Sequence, residues 1–312
     1  MLVIAVAIGA AVLGTKRYVV RAGAVLTSHA SSPEIPPPAK ADRFDFSTLW
    51  LSHNPAPDLG VHAQAAYVVD LDTRLVLWER DADTMRAPAS LTKMITAMVA
   101  MDDAGSLDRT IEVTKDSTTV YPSLMGLAAG EHLTVREVLY GLFLSSGNDA
   151  AEALAQGIVP RDRFVRQMNQ KAKSIGLHAS HFVNPTGFDD TGHGMSAHDL
   201  ARAAAYLDKY YPELAAIAGT KDKEIPSTTT HQAYAMQNLN ALLTTYPGAT
   251  GLKTGLTPAA GACAVITATR NGRHLVVVVM NDTSHAFGDS AALLDYGFSV
   301  KPALTLASLK SA

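Results

Sequence analysis

Cys263 is the only cysteine in a chain of 312 residues. That excludes an internal disulfide framework and any cysteine-rich zinc site. Basic residues are not in excess, since 26 Lys and Arg stand against 29 Asp and Glu. The electrostatic footprint of a nucleic-acid partner is therefore missing. There is no His-Glu-x-x-His; His178, His181 and His193 are spaced so that no single helix face carries them, and His198 follows. No metal ligand set is assigned and no cofactor is expected. Trp50 and Trp78 lack the spacing of a binding platform. Long apolar runs are also scarce. Leu2–Gly14 suits the core of a signal peptide and is short for a bilayer span, which needs about 20 residues.

What is there begins with that run. No positive charge precedes it, Lys16, Arg17 and Arg21 follow it, and small-x-small sites occur at Ala22-Gly23-Ala24 and Ser28-His29-Ala30. Positive charge after the apolar core argues for holding that end inside. Residues 1–27 thus read as a signal peptide or an N-terminal membrane anchor, the only part expected to meet a membrane. Residues 28–45 are rich in Pro, Ser and Ala without periodicity and read as an extended linker. Residues 46–312 remain for one large domain, with a chain that is 47% hydrophobic and 18% charged.

Within that domain, Ala65–Val69 and Leu75–Trp78 are β-rich runs around a turn, a predicted hairpin. A helix follows from Ser90 to about Gly105, and Ile111–Val113 is a short strand. Thr134 and Glu137 form a capping box that opens a helix with Val135, Val138, Leu139, Leu142 and Phe143 on one face. Gly147 breaks it, and Asp149 is placed to cap the next helix. Phe164, Met168 and Ala172 mark another, and Ser196 and Asp199 a second capping box. Residues from roughly 105 to 245 are expected to be mostly helical. Strands return at Gly261–Thr269 and His274–Met280, joined by the hairpin signal Asn271-Gly272, and Ser290–Tyr296 is a last helix. Strands at both ends and helices between predict an α/β (α+β) architecture, an antiparallel sheet assembled from both termini with a helical insert.

Three short motifs carry the chemistry. In Ser90-Leu91-Thr92-Lys93 a serine and a lysine three apart share a helix face, a nucleophile beside a potential base. Ser146-Gly147-Asn148 and Lys253-Thr254-Gly255 follow. Each alone has an ordinary reading as a cap or a charged turn. In order and together they resemble the triple signature of penicillin-binding proteins and serine β-lactamases. The wider resemblance, over roughly residues 63–300, is to the low-molecular-mass D-alanyl-D-alanine carboxypeptidases. It includes Pro88-Ala89, Phe182–Gly187, His193 with Ser196, Ala197, Asp199 and Leu200, and Ala260-Gly261.

This resemblance implies a β-lactamase/transpeptidase-like fold and a serine carboxypeptidase acting on peptidoglycan stem peptides that end in D-Ala-D-Ala, with β-lactams as covalent inhibitors. It implies an exported protein. Ser90 would be the nucleophile, Lys93 its base and Ser146 a proton relay to the leaving amine. Asn148 would orient Lys93 and a substrate amide, and Lys253 and Thr254 would hold the ligand carboxylate. Gly255 would let the substrate lie close to the strand, and the backbone of Leu256 would join that of Ser90 in the oxyanion hole. A lysine serves as base only with a depressed pKa, which burial and a neighbouring cation supply; Lys253 is the candidate cation. Leu256 departs from the polar or aromatic residue common after Lys-Thr-Gly.

A class A β-lactamase shares two motifs, but needs a Glu-x-x-Leu-Asn loop to deacylate, and none lies between Asn148 and Lys253. Penicillin is therefore expected to acylate Ser90 and leave slowly. A non-catalytic penicillin-binding scaffold remains the alternative of a different class, opposed by the presence of every catalytic side chain. The chain ends soon after the last predicted helix, so no β-rich C-terminal domain is expected. His193 is expected to stabilise a loop, His198 to face solvent and Cys263 to be a small core residue.

Overall fold

The computed structural model describes residues 44–302 apart from Ser284. The signal or anchor segment and nearly all of the expected linker lie outside the described residues. Phe44, placed in the linker by sequence, is instead buried with its ring edge-on to Tyr206 and Tyr210. The packed domain includes it.

In chain order the elements are α1 (Leu49–His53), β1 (Ala65–Asp70), β2 (Leu75–Arg80), a 3-10 turn (Ala89–Thr92), α2 (Lys93–Ala104), β3 (Thr110–Glu112), β4 (His132–Thr134), α3 (Val135–Phe143), α4 (Asn148–Ile158), α5 (Arg161–Ser174), α6 (Ala197–Tyr210), α7 (Pro212–Ala218), β5 (Asp222–Ile225), β6 (Tyr234–Gln237), α8 (Leu242–Thr245), β7 (Ala249–Thr257), β8 (Gly261–Arg270), β9 (Arg273–Asp282) and α9 (Ala286–Ser299). Five strands form one antiparallel sheet in the order β2-β1-β9-β8-β7. The sheet is thus built from both ends of the domain, as expected. β7 is an edge strand.

The run Leu275–Met280 explains why β9 sits centrally. It is buried throughout, with Val276 and Val278 in the core under the helices and Val277 and Val279 in the core under α9. A continuous apolar strand suits a sheet covered on both faces. On the helical side α2 is buried from Lys93 to Met101, so it is the central helix, and Gly105 ends it in the left-handed region. The Asn271-Gly272 turn has positive φ at both residues, which matches the right-handed twist of β8 and β9.

Three local expectations change. The region 105–245 contains two small hairpins, β3–β4 and β5–β6, whose strands of three or four residues are too short to show a period. The Thr134/Glu137 capping box is present in full, but neither Asp149 nor Asp199 caps in the expected way. Gly147 is the N-cap of α4, and the Asp149 carboxylate accepts from the N–H groups of Met125, Gly126 and Leu127 at 2.8, 2.8 and 3.0 Å. Ser196 caps α6 by accepting from Asp199 N, while the Asp199 carboxylate accepts from His178 N, Ala179 N and the Ser180 hydroxyl. Half-buried His198 lies against Tyr67 in a stacked pair at 5.2 Å instead of pointing into solvent.

Each aspartate satisfies loop amides that would otherwise be unpaired, and that is worth more than closing a capping box. Ser196→Ala is expected to cost about 1 kcal/mol. Asp199→Ala, which strands three donors, is expected to cost about 3 kcal/mol. Urea melts of the two variants check this; equal losses would show that Asp199 acts as a cap only.

Candidate active site

The site forms where the 3-10 turn, the α3–α4 junction, the loop 184–188 and the edge strand β7 meet. Ser90, a helix cap only if its motif is taken alone, lies within the 3-10 turn. Pro88 holds the cap position and no side-chain capping bond forms, so the Ser90 hydroxyl is free for other partners. Ala89 before it has φ +49, a left-handed conformation that costs a residue with a Cβ of order 1 kcal/mol. The loop 184–188 holds the turn. Gly187 packs so closely on Ala89 that a Cβ there would lie 1.9 Å from the Ala89 carbonyl oxygen. Gly187 itself is fixed by Asn184, whose Oδ1 accepts from Gly187 N, Thr186 N and Thr186 Oγ1.

Lys93 is fully buried, and its Nζ lies 2.7 Å from Ser90 Oγ, 2.7 Å from Asn148 Oδ1 and 3.0 Å from Thr186 O. Asn148 donates its Nδ2 to Tyr121 O at 2.9 Å, which turns Oδ1 toward Lys93. Both Asn148 Oδ1 and Thr186 O can only accept. A neutral lysine amine has two N–H bonds and one lone pair. With the N–H bonds directed to those two oxygens, the lone pair faces Ser90 Oγ. The pKa direction agrees: burial, then the charge of Lys253, holds Lys93 well below the ordinary lysine range, while Asp149 opposes the shift. Lys253 is itself lowered to about 7 by burial.

Lys253 is 1% exposed and donates to Thr254 O at 2.9 Å. Sequence and resemblance give it two roles, a hold on the ligand carboxylate and a cation beside Lys93. The structure sets it just beneath the cleft surface, with Thr254 on the cleft wall, and its charge lowers the Lys93 pKa. Gly255 changes meaning. A Cβ there would lie 2.9 Å from both Ser90 N and Ala89 Cβ, so the space is taken by the serine turn. Gly255 lets β7 close on that turn and brings the Gly255–Leu256 peptide beside the Ser90 amide.

Ser146, at φ +54 between α3 and α4, lines the same cleft as Ser90, Asn148, Thr254, Gly255 and Leu256, with a volume of about 510 Å³. The structure therefore brings together every residue that sequence placed in the site, with both lysines under its floor. Sequence reasoning assigned no role to Asn184, Thr186 or Tyr121. Two of these act through carbonyl oxygens, which have no side-chain signature; Asn184 fell inside a motif noticed only by resemblance. Cys263, opposite Gly255 on β8, is buried, and burial pushes its thiol up to about 11. Among the described residues no group of three or more His, Cys, Asp or Glu is placed to hold a metal.

His193 locks the turn from behind. Val183 N donates to its Nδ1 at 3.2 Å, so Nδ1 is unprotonated and Nε2–H donates to Thr92 Oγ1 at 2.9 Å. Burial lowers its pKa to about 4.

The model of the family described as D-alanyl-D-alanine carboxypeptidase (Peptidase_S11) matches residues 52–284. The chain is 37% identical over 257 residues to the D-alanyl-D-alanine carboxypeptidase DacB2 of Mycobacterium tuberculosis, covering 79% of this chain and 86% of that one. It is 32% identical to DacF of Bacillus subtilis, covering 78% of this chain and 64% of that longer relative. The fold is similar to the Streptomyces K15 DD-transpeptidase, with a TM-score of 0.73 at 30% identity over 78% of this chain and 99% of that one.

The His193 lock predicts acid sensitivity. The group is depressed in the folded state, so its contribution is present above the unfolded pKa of 6.5 and lost as pH falls through about 4. The expected loss is about 3 kcal/mol by pH 4. Thermal melts from pH 7 to 4 should show that drop in the native chain and a smaller one in His193→Gln; parallel curves would discount the lock.

Proposed function

The chain belongs to the S11 family of D-alanyl-D-alanine carboxypeptidases, serine hydrolases, and we propose that it removes the terminal D-Ala from peptidoglycan stem peptides through an acyl-enzyme on Ser90. The observation that carries this reading is the Lys93 amine, held by two acceptors with its third direction on Ser90 Oγ. Ser90 Oγ attacks the carbonyl carbon of the penultimate D-Ala and its proton passes to Lys93 Nζ. The oxyanion is met by the N–H groups of Ser90 and Leu256, a stabilisation worth about 3 kcal/mol per donor. The amide C–N bond breaks as the leaving nitrogen takes a proton by way of Ser146, and the D-Ala carboxylate rests near Thr254 in the field of Lys253. Water, activated by the neutral Lys93, then cleaves the ester and returns the hydroxyl.

Penicillins enter by the same attack. No acidic residue lines the cleft, which supports slow release of the penicilloyl ester and favours the carboxypeptidase over a β-lactamase. The site of action would be outside the cytoplasmic membrane, supported by the location of the substrate and by the apolar run Leu2–Gly14.

Incubation with a pentapeptide ending in D-Ala-D-Ala should release one D-Ala per peptide, and mass spectrometry should find a lasting penicilloyl adduct on Ser90. Ser90→Ala should lose both by at least about 10³-fold; release without Ser90 would defeat the mechanism. The lysine pair makes a further claim. The acid limb of kcat/KM reports Lys93 losing its proton, and Lys253 is one reason that this happens early. Lys253→Gln should move that limb to higher pH; an unmoved limb would mean that Lys253 does not tune Lys93.

A further inference from the structure

None of the residues lining the cleft is acidic or basic, and the two lysines of the site lie beneath it, 0% and 1% exposed. The apolar surface of the cleft wall includes Phe188, Leu239, Leu256, Ala262, Ala286 and Phe287. Among the described residues only five large apolar side chains are exposed, Met85 and Leu124 among them. Yet Leu256 is 73% and Leu239 50% exposed on this wall, and Tyr121, 80% exposed, sets its ring edge-on to Phe188. Apolar side chains collected at the mouth of a reactive cleft, and not scattered singly, point to a ligand that covers them. Asp189, beside Phe188, is already engaged with Thr257 Oγ1 at 2.6 Å and Ala259 N at 3.0 Å.

We propose that this wall selects the acyl part of the substrate: the residue preceding the two D-alanines must present an uncharged side chain, apolar or acylated, and a free ammonium or carboxylate there is rejected. The substrate's identity rests on the carboxypeptidase reading, whereas the selection belongs to the wall. A charge laid against Leu239, Leu256 and Phe287 gives up hydration and gains no partner. A norleucyl or Nε-acetyl-lysyl side chain of similar length covers the same atoms at no such loss. Leu256 thereby acquires a role for its side chain as well as its backbone.

The test uses the full chain and three peptides, Nα-acetyl-Xaa-D-Ala-D-Ala with lysine, Nε-acetyl-lysine or norleucine as Xaa. It adds three penicillins: the phenylacetyl compound and its α-amino and α-carboxy analogues. We expect kcat/KM for the two uncharged peptides to exceed that for the lysyl peptide by at least about tenfold, and acylation of Ser90 to rank the penicillins the same way. Leu256→Glu and Leu239→Glu alter exposed positions, so folding is retained, and each should raise the lysyl-to-norleucyl ratio by about tenfold. Equal handling of charged and uncharged peptides by the native enzyme, or a ratio unmoved in both variants, would overturn the proposal. If no peptide releases D-Ala while penicillins still acylate Ser90, the carboxypeptidase reading fails and the penicillin series decides. A graded series then supports the wall and equal rates overturn it.

Discussion

A lysine amine buried against a serine hydroxyl, with its pKa drawn down by that burial, is the constraint on which the remaining structure depends. Burial alone would lower its pKa but leave the amine free to turn. Here Asn148 Oδ1 and Thr186 O fix its two N–H bonds, and each acceptor is itself fixed. Tyr121 O orients the Asn148 amide, and Asn184 shapes the loop that delivers Thr186 O. The Asp149 carboxylate clamps residues 125–127, and Ser123 O in the same loop receives Asn148 N. The loops are therefore an extension of the catalytic amine, and their many hydrogen bonds convert a flexible side chain into a directed lone pair.

The architecture was legible because its strongest elements have simple signatures. The Val276–Val279 run, the Asn271-Gly272 turn and the Thr134/Glu137 box appear in the structure where the pattern places them. The site residues were legible as motifs, by resemblance more than by pattern. Illegible were the partners that act through the backbone, such as Thr186 O, since a carbonyl is common to every residue type. Asp149 and Asp199 misled because a carboxylate near a helix start has two competing uses. Buried amides from a distant loop outrank the local cap, and their position depends on tertiary packing that periodicity does not contain. Lys253 was legible as the cation beside Lys93, whose pKa it lowers, but its motif names the residue and not its depth, and it lies 1% exposed.

The rival readings separate on similar grounds. A β-lactamase shares the nucleophile and two of the motifs, and differs in having a carboxylate that drives water onto the ester. The cleft wall here carries none. A scaffold protein would be free to let Lys93 become solvated or lose its partners. The cost of burying that lysine, with a second one close enough to repel it, is explained only by use.

A strand edge with unpaired backbone groups is an aggregation hazard, because another protein's sheet can extend across it. β7 must keep such an edge open along the cleft, beside Thr254 and Gly255. Thr254, Gly255 and Leu256 line one cleft with Pro122, Ser123 and Phe188, so this edge is set in a concave surface instead of standing free. A concave edge admits a single extended chain more readily than the packed edge of a folded neighbour's sheet. The cleft that orders catalysis thus also works against sheet extension through the active site.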